Sequence, residues 1–145
     1  MKVRVTEQSF DPWLELRAYQ DSREELAGRF GATAAFVGTM RDFNQGDAVQ
    51  AMTLEHYAGM TERHLEAISS QAAERWELLD SLILHRVGRL LPDDPIVLVA
   101  VWSAHRREAF EACRWLMEEL KSTAPFWKKE ETGSGSRWVE KNTPG

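Results

Sequence analysis

Residues 103–130 read SAHRREAFEACRWLMEELKSTAPFWKKE, a long amphipathic segment that a proline separates from a shorter one. Apolar residues recur at helical spacing over residues 105–120, which predicts an α-helix with one buried face. The predicted buried stripe consists of Phe110, Cys113, Met117 and Leu120. Ala124-Pro125 ends the helix, because the residue before a proline avoids helical backbone angles. Residues 126–131 are then predicted to form a strand.

The rest of the chain alternates predicted strands with helices. A second long helix covers residues 61–76, with its apolar face at Leu65, Ile68, Ala72 and Trp76. Asp11-Pro12 is typical of a helix start, and residues 22–29 are expected to form another short helix. Strands are predicted over residues 2–7, 32–40, 49–57, 82–87, 96–102, 126–131 and 137–140. Two long helices among strands joined mostly by hairpins predict an α+β fold, with residues 1–145 in a single domain.

The composition is that of a globular protein. The chain has 145 residues, 43% of them hydrophobic and 28% charged, with a net charge of −5 at pH 7. A negative net charge argues against general nucleic-acid binding, and no apolar run reaches the roughly 18–20 residues that a membrane span requires. The first residues lack the apolar core of a signal peptide. We therefore expect a soluble cytoplasmic protein that binds neither nucleic acid nor membrane.

The charge is distributed unevenly along the chain. Residues 121–145 carry five basic and three acidic side chains, so this segment is positive at the end of an otherwise acidic chain. Such a segment is either a site that attracts a small anion or an acidic partner, or a solvated tail.

Three basic residues follow predicted strands and are candidates for anion binding. His105 and Arg106 stand at the start of the long helix, where cations are unfavourable unless an anion such as phosphate binds at the same end. Arg41 also follows a strand, and arginine binds phosphate in bidentate fashion. The alternatives are side chains that reach into solvent or pair with the nearby acids Asp42, Glu55, Glu108 and Glu111.

Lys121 and Lys128 stand on either side of the turn at Pro125. If the strand folds back beside the end of the helix, both amines face one pocket. Neighbouring cations and partial burial lower the pKa of a lysine, which makes its neutral amine available as a base or nucleophile. In the alternative interpretation, Lys121 is a helix C-terminal cation that interacts with the helix dipole.

Reactive thiols and metals are not expected. Cys113, the single cysteine, lies on the apolar face of the long helix and is predicted to be a packed hydrophobic side chain. The four histidines lack metal-ligand spacing such as H-x-x-x-H. Glycine-rich phosphate loops, dinucleotide fingerprints and G-x-S-x-G do not occur in the sequence.

Several runs together resemble the large, catalytic subunit family of molybdopterin synthase. They cover about residues 31–139 in the order of that family, whereas the first 30 residues match poorly and residues 140–145 form a tail. Ala58 stands where the family commonly has proline, which is a difference in a turn. The matching runs are residues 36–42 (FVGTMRD), 54–60 (LEHYAGM), 85–88 (HRVG), 103–106 (SAHR), 120–128 (LKSTAPFWK) and 137–139 (RWV).

The resemblance implies a sulfurtransferase of molybdenum cofactor biosynthesis. Members of that family convert cyclic pyranopterin monophosphate into molybdopterin by installing two dithiolene sulfurs, and the large subunit needs no metal or organic cofactor. The sulfur arrives as a thiocarboxylate on the C-terminal Gly-Gly of a small ubiquitin-like subunit. The implied fold is α+β with a hammerhead-like mixed and antiparallel β arrangement. The implied assembly is a homodimer of large subunits within a heterotetramer.

The functional residues of the family map onto positions of this chain. Lys121 and Lys128 match its catalytic lysines; the first is assigned to proton transfer or to polarising the acyl group, the second to orienting substrate and tail. The implied substrate-binding residues are Thr39, Met40, Arg41, His105, Arg106, Lys129 and Glu130. The groove for the partner's tail is predicted along Phe126, Trp127 and Arg137.

Two other functions are compatible with these residues. One is a lysine-dependent enzyme, such as a Schiff-base lyase, that acts on another phosphorylated small molecule. The other is a non-catalytic module that only docks a ubiquitin-like protein. Borohydride trapping with a carbonyl substrate identifies the first, and a turnover assay separates the second from an enzyme.

Overall fold

Nine strands and three α-helices make up the part of the chain that the computed structural model describes, residues 1–44 and 46–139. The helices are α1 (Pro12–Ser22), α2 (Met60–Trp76) and α3 (Arg106–Thr123). The strands are β1 (Lys2–Thr6), β2 (Ala32–Thr39), β3 (Phe43–Asn44), β4 (Asp47–His56), β5 (Asp80–Arg86), β6 (Gly88–Leu90), β7 (Pro95–Ser103), β8 (Phe126–Thr132) and β9 (Gly135–Val139).

The strands form two sheets. The first has the order β1-β5-β7-β2, in which β1 pairs with β5 in parallel and the other pairs are antiparallel. The second is antiparallel and has the order β3-β4-β8-β9, with β6 paired to β4 beside this path. The predicted α+β fold with mixed and antiparallel β-structure is confirmed.

The first sheet is covered on both faces, which explains why β5 and β7 are so uniformly apolar. One face packs against α2 and α3 through side chains that include Ile83, Val97 and Val99. The opposite face packs against α1 and the turn after it through Leu82, Leu84, Leu98, Ala100 and Trp102. The strands therefore present alternate residues to two separate clusters, as the period of a β-strand requires.

Two helix ends follow the signals in the sequence. Asp11 Oδ1 accepts hydrogen bonds from the N–H groups of Trp13 (3.0 Å) and Leu14 (3.2 Å), with Pro12 in the first helical position. α3 ends at Thr123, and Ala124 before the proline is extended. Both boundaries agree with the prediction.

Other expectations were wrong in detail. Residues 22–29 do not form a helix; α1 continues to Ser22, and a single 3-10 turn follows at Glu24–Leu26. Phe110 is 69% exposed, because the buried face of α3 is centred on alanines and leucines instead: Ala109, Ala112, Cys113, Leu116, Met117 and Leu120. The short strands β3 and β6 were not predicted.

One prediction concerns the end of the chain, and another concerns a membrane span. The tail at residues 140–145, and with it the last residue of the strand predicted over 137–140, lies outside the described residues. Across residues 1–44 and 46–139, no helix combines the length and apolar character needed to cross a membrane.

Candidate active site

A cavity of about 830 Å³ opens between the end of β2, one face of α3 and the inner face of β8. Val97 and Met117 contribute apolar lining, while Arg41, Lys121 and Lys128 bring positive charge to it. This volume falls in the range of small-molecule sites, and a few polar groups among apolar walls are typical of them.

Lys121 and Lys128 reach the cavity from the two sides of the Pro125 turn. Lys121 lies in the last turn of α3, and Lys128 is the third residue of β8. The buried hydroxyl of Thr61 donates to the Pro125 carbonyl oxygen (3.2 Å) and holds the turn against the start of α2. Both lysines therefore line one cavity, which is one of the two interpretations that their position around the proline left open.

Lys121 has the character of a base. Burial, the charge and hydrogen bond of Lys128, and the charge of Arg41 together lower the pKa of Lys121 from 10.5 to about 8. Roughly a tenth of Lys121 is then neutral at pH 7, against less than about a thousandth of an ordinary lysine. A neutral amine can accept a proton, which the ammonium form cannot do.

The end of β2 supplies three of the predicted substrate-binding residues. Thr39, Met40 and Arg41 all line the cavity. The glycine before them, Gly38, allows β2 to approach β7 closely, because a Cβ in its place would lie 2.8 Å from Val97 Cγ1. The cavity wall at this point thus depends on a residue without a side chain.

Glu130 lines the cavity, but its carboxylate is engaged by other protein groups. It is 4% exposed and accepts hydrogen bonds from Asn44 Nδ2 (2.8 Å) and Arg137 Nε (3.2 Å). The Arg137 guanidinium also donates to the Asn44 carbonyl oxygen (2.9 Å). Glu130 and Arg137 therefore fasten β3 to β8 and β9 at the cavity edge.

Successive side chains of β8 point alternately into the cavity and towards the opposite face of the sheet. Lys128 lines the cavity, whereas Trp127 and Lys129 are exposed on the other face. There Trp127 meets Tyr57 edge-on with ring centroids 4.6 Å apart, and Lys129 Nζ lies 5.7 Å from the Trp138 ring centroid. The structure does not bring Lys129 into the cavity with the other predicted residues.

The residues predicted for the tail groove are divided between two faces. Phe126 stacks on His85 with ring centroids 4.0 Å apart and is partly buried, and Arg137 turns towards Glu130. Trp127 is 41% exposed on the outer face. The three side chains do not form one continuous surface.

His105 and Arg106 lie at the far end of α3 from Lys121. About 22 Å of helix separates Arg106 from Lys121, at 1.5 Å per residue. Both residues are exposed, and neither lines the cavity. Within one chain, therefore, they are not assembled with Arg41 into the predicted phosphate site.

His85, which was not predicted to be a site residue, lies behind the lysines. Its Nδ1 is 2.7 Å from the Arg86 carbonyl oxygen, so Nδ1 carries the hydrogen and Nε2 is unprotonated. Burial lowers the pKa of His85 to about 3; the hydrogen bond to Arg86 opposes this, while the charges of Lys121, Lys128 and His56 add to it. The available signal was a histidine in an otherwise apolar strand.

Cys113 lines the cavity without being a reactive thiol. Burial raises the pKa of the thiol to about 11, and Sγ lies 3.7 Å from the Val99 carbonyl oxygen. The side chain is packed, as predicted. In the described ranges, no three His, Cys, Asp or Glu side chains are grouped so that they could hold a metal ion.

The sequence is similar to a known protein family over most of its length. Residues 5–123 match the family model described as MoaE protein. The molybdopterin synthase catalytic subunit of Ralstonia nicotianae is 53% identical over 138 residues, which cover 95% of this chain and 76% of that protein. The molybdopterin synthase catalytic subunit of Pseudomonas aeruginosa is 51% identical over 140 residues, covering 97% and 91%.

Solved structures share the fold. The molybdopterin biosynthesis MoaE protein from Burkholderia ambifaria has a TM-score of 0.80 at 46% identity, covering 99% of this chain and 92% of that one. A chain from the complex of subunits 1 and 2 of molybdopterin-converting factor from Helicobacter pylori has a TM-score of 0.79 at 23% identity, covering 98% and 93%. The second likeness concerns the fold alone.

Proposed function

Because the chain belongs to the MoaE protein family, whose similar members are molybdopterin synthase catalytic subunits, we propose that Lys121 and Lys128 carry out its chemistry. The chain is an enzyme of molybdenum cofactor biosynthesis. One observation carries the assignment of the site: two lysines line a single cavity, and the pKa of one of them is lowered to about 8. The proposed reaction converts cyclic pyranopterin monophosphate into molybdopterin.

Transfer of sulfur from a thiocarboxylate needs a base and a cation. The thiocarboxylate sulfur forms a bond to a side-chain carbon of the pterin while the carbon–oxygen bond there breaks. The oxygen leaves with the bonding electron pair and takes up a proton, and the tail remains attached as a thioester. Water then adds to the acyl carbon, the acyl–sulfur bond breaks, and a tail carboxylate, a substrate thiolate and two protons result. Neutral Lys121 accepts one of these protons from the attacking water, while Lys128 donates a hydrogen bond to the acyl oxygen of the tail.

The charges in the cavity suit two anionic reactants. Arg41 lines the same cavity as the lysines, and its charge contributes to the lowered pKa of Lys121. A guanidinium at this position is suited to the substrate's phosphate, because arginine presents paired donors to phosphate oxygens. The thiocarboxylate of the incoming tail is attracted by the same field.

A second copy of the chain is proposed to pair with β2. In the described part of the chain β2 pairs with β7 alone, so its other edge presents unpaired backbone groups. Two large apolar side chains are exposed beside this edge, Phe36 (43%) and Phe110 (69%), and both line the cavity. An edge strand flanked by exposed aromatic residues favours a homodimer with a twofold axis.

This pairing would complete the phosphate site. α3 runs alongside β2 in the same order. The two elements start near each other, where the Gly31 N–H donates to the Ser103 carbonyl oxygen (3.0 Å), and both of their ends line the cavity. Antiparallel pairing about a twofold axis places the start of one β2 next to the end of the other. The partner's His105 and the partner's Arg106 then approach Arg41 and Lys121.

The proposed partner of this chain, which supplies the sulfur, is a small ubiquitin-like subunit with a C-terminal Gly-Gly thiocarboxylate. One small subunit on each chain of the homodimer gives a heterotetramer. The similar proteins of Ralstonia nicotianae and Pseudomonas aeruginosa are named catalytic subunits, which supports a further subunit as the partner of this chain. Cytoplasmic location stays a prediction from the sequence.

The proposal is tested with two forms of the partner. Full-length thiocarboxylated partner should yield dithiolene product from the cyclic pterin, and a partner without its last two glycines should yield none. Calorimetry should still detect much of the binding of the truncated form, because the globular contact survives. Product formation with the truncated partner would show that sulfur does not arrive on the tail.

A further inference from the structure

The turn between β6 and β7, residues 91–94, is joined to the end of β2 by two main-chain hydrogen bonds. The Met40 N–H donates to the Asp94 carbonyl oxygen, and the Asp93 N–H donates to the Met40 carbonyl oxygen, both at 2.9 Å. The regular pairing of β2 with β7 shifts register between Gly38 and Thr39. Thr39 still pairs with Pro95 beyond that shift, and from Met40 onwards the turn holds the chain instead of the sheet.

The Asp94 carboxylate closes the turn. Its Oδ2 accepts a hydrogen bond from the Leu91 N–H (2.9 Å), and the Asp94 N–H donates to the Leu91 carbonyl oxygen (3.0 Å). Asp93 adopts a left-handed conformation with φ of 75°, which is costly for a residue with a side chain. Such a turn keeps its shape only where surrounding contacts enforce it, and the carboxylate provides them.

Arg86 connects this carboxylate to the interior. The Arg86 side chain is buried, its Nη1 lies 3.8 Å from Asp94 Oδ2, and its Nη2 donates to the Arg89 carbonyl oxygen (3.2 Å). A buried guanidinium requires hydrogen-bond partners and a counter-charge. The end of β5, the strand β6 and the turn are therefore linked through one buried side chain.

We propose that Asp94, supported by Arg86, is a positioning residue that sets the direction in which Arg41 enters the cavity. This inference rests on the proposed function, in which Arg41 binds the substrate's phosphate. Met40 is 4% exposed and is held through both of its peptide groups, so Arg41 leaves a fixed point of the backbone. Loosening the turn moves the guanidinium away from the phosphate while Lys121 and Lys128 keep their places on other elements.

The test compares kcat and KM for cyclic pyranopterin monophosphate in four variants. Asp94→Ala should raise KM roughly tenfold and leave kcat within about threefold, because misplacing a binding group weakens ground-state and transition-state binding alike. Asp94→Asn should give a smaller rise, because its amide oxygen still accepts from Leu91. Arg41→Ala should raise KM at least as much as Asp94→Ala. The matched control, Arg89→Met, removes only an exposed ion pair with Glu131 and should behave as wild type.

The outcomes separate this inference from the function on which it rests. If Arg41→Ala raises KM but neither Asp94 variant does, the positioning role is overturned and the proposed function stands. If Arg41→Ala leaves KM unchanged, the phosphate-binding role of Arg41 in the proposed function fails. Should Asp94→Ala not fold, as judged from thermal unfolding, Asp94→Asn decides by the same criterion. A fall in kcat with unchanged KM in a folded Asp94 variant also contradicts positioning.

Discussion

The Phe126 ring stacks on the His85 imidazole, with ring centroids 4.0 Å apart and ring planes inclined by 17°. Phe126 is the first residue of β8 and His85 lies near the end of β5, so the stack joins the two sheets. Two residues further along β8, Lys128 enters the cavity. Because buried His85 is neutral, the contact holds the strand in place without adding another positive charge beside the lysines.

The interaction between the two lysines gives a prediction about titration. Lys128→Met removes a positive charge next to Lys121, and loss of that charge favours the ammonium form, so the pKa of Lys121 should rise above about 8. NMR of 13C-labelled lysine measures it directly, since the chain has five lysines. The wild-type protein should show one lysine that titrates well below the others. An unchanged or lower pKa in the variant would contradict the coupling.

Removal of the partly buried charge of Lys121 should stabilise the protein. The pKa of Lys121 is about 8 in the folded chain and 10.5 for an ordinary lysine. Between these two pH values the folded chain therefore binds fewer protons than the unfolded chain. The cost of the charge is therefore complete below pH 8 and disappears as the pH rises towards 10.5. Lys121→Met should raise the free energy of unfolding by roughly 1 kcal/mol at neutral pH.

Urea unfolding of both proteins at neutral and at high pH checks this. The difference between variant and wild type should be largest at neutral pH and small when the pH exceeds the pKa of an unfolded lysine. A variant that is less stable than wild type at neutral pH would show that Lys121 is a structural residue.

The two-chain phosphate site predicts complementation. At substrate concentrations far below the variants' KM, Arg41→Ala and Arg106→Ala should each turn over slowly as a homodimer, because each lacks a phosphate-binding group. A mixed dimer contains one site with both changes and one site with neither, so free exchange of subunits should restore about a quarter of wild-type turnover. If the activity after subunit exchange equals only the mean of the activities of the two separate variants, Arg41 and Arg106 do not act together in a site shared between two chains.

An anion should bind at the same shared site. Phosphate or sulfate should raise the melting temperature of the wild-type protein, because anions that bind only the folded state stabilise it. The double variant Arg41→Ala/Arg106→Ala should lose this effect. Equal stabilisation of the two proteins would mean that the anion binds elsewhere.

Local signals in the sequence were sufficient for the elements that carry the lysines. The apolar stripe of α3 and the proline after it predicted a helix end followed by a returning strand, and Lys121 and Lys128 consequently line one cavity. The face of the sheet on which each side chain lies was harder to predict. If the side chains of β4 alternated strictly, Val49 would lie on the face opposite Met52 and Leu54. A register shift between Val49 and Ala51 brings Val49 into the same buried cluster as those two residues.

Contacts between distant residues could not be predicted from these patterns. Asn44 and Glu130 are separated by 86 positions, and nothing local indicates that the carboxylate is used to hold β3. The exposure of Phe110 depends on the neighbours that α3 meets, because an aromatic residue on a helix is equally compatible with a core and with a surface between chains. The separation of His105 and Arg106 from Arg41 likewise follows from the length of α3, and local motifs contain no information about that distance.

The central claim, that Lys121 is the proton acceptor in sulfur transfer, is tested most directly by a single-turnover assay. Thiocarboxylated partner and cyclic pyranopterin monophosphate are incubated with wild-type protein, with Lys121→Ala and with the control Lys2→Ala, which alters an exposed lysine on β1. Wild type and control should form dithiolene product at equal rates, and Lys121→Ala should be slower by at least about a hundredfold while remaining folded. Near-normal product formation by folded Lys121→Ala would contradict the claim.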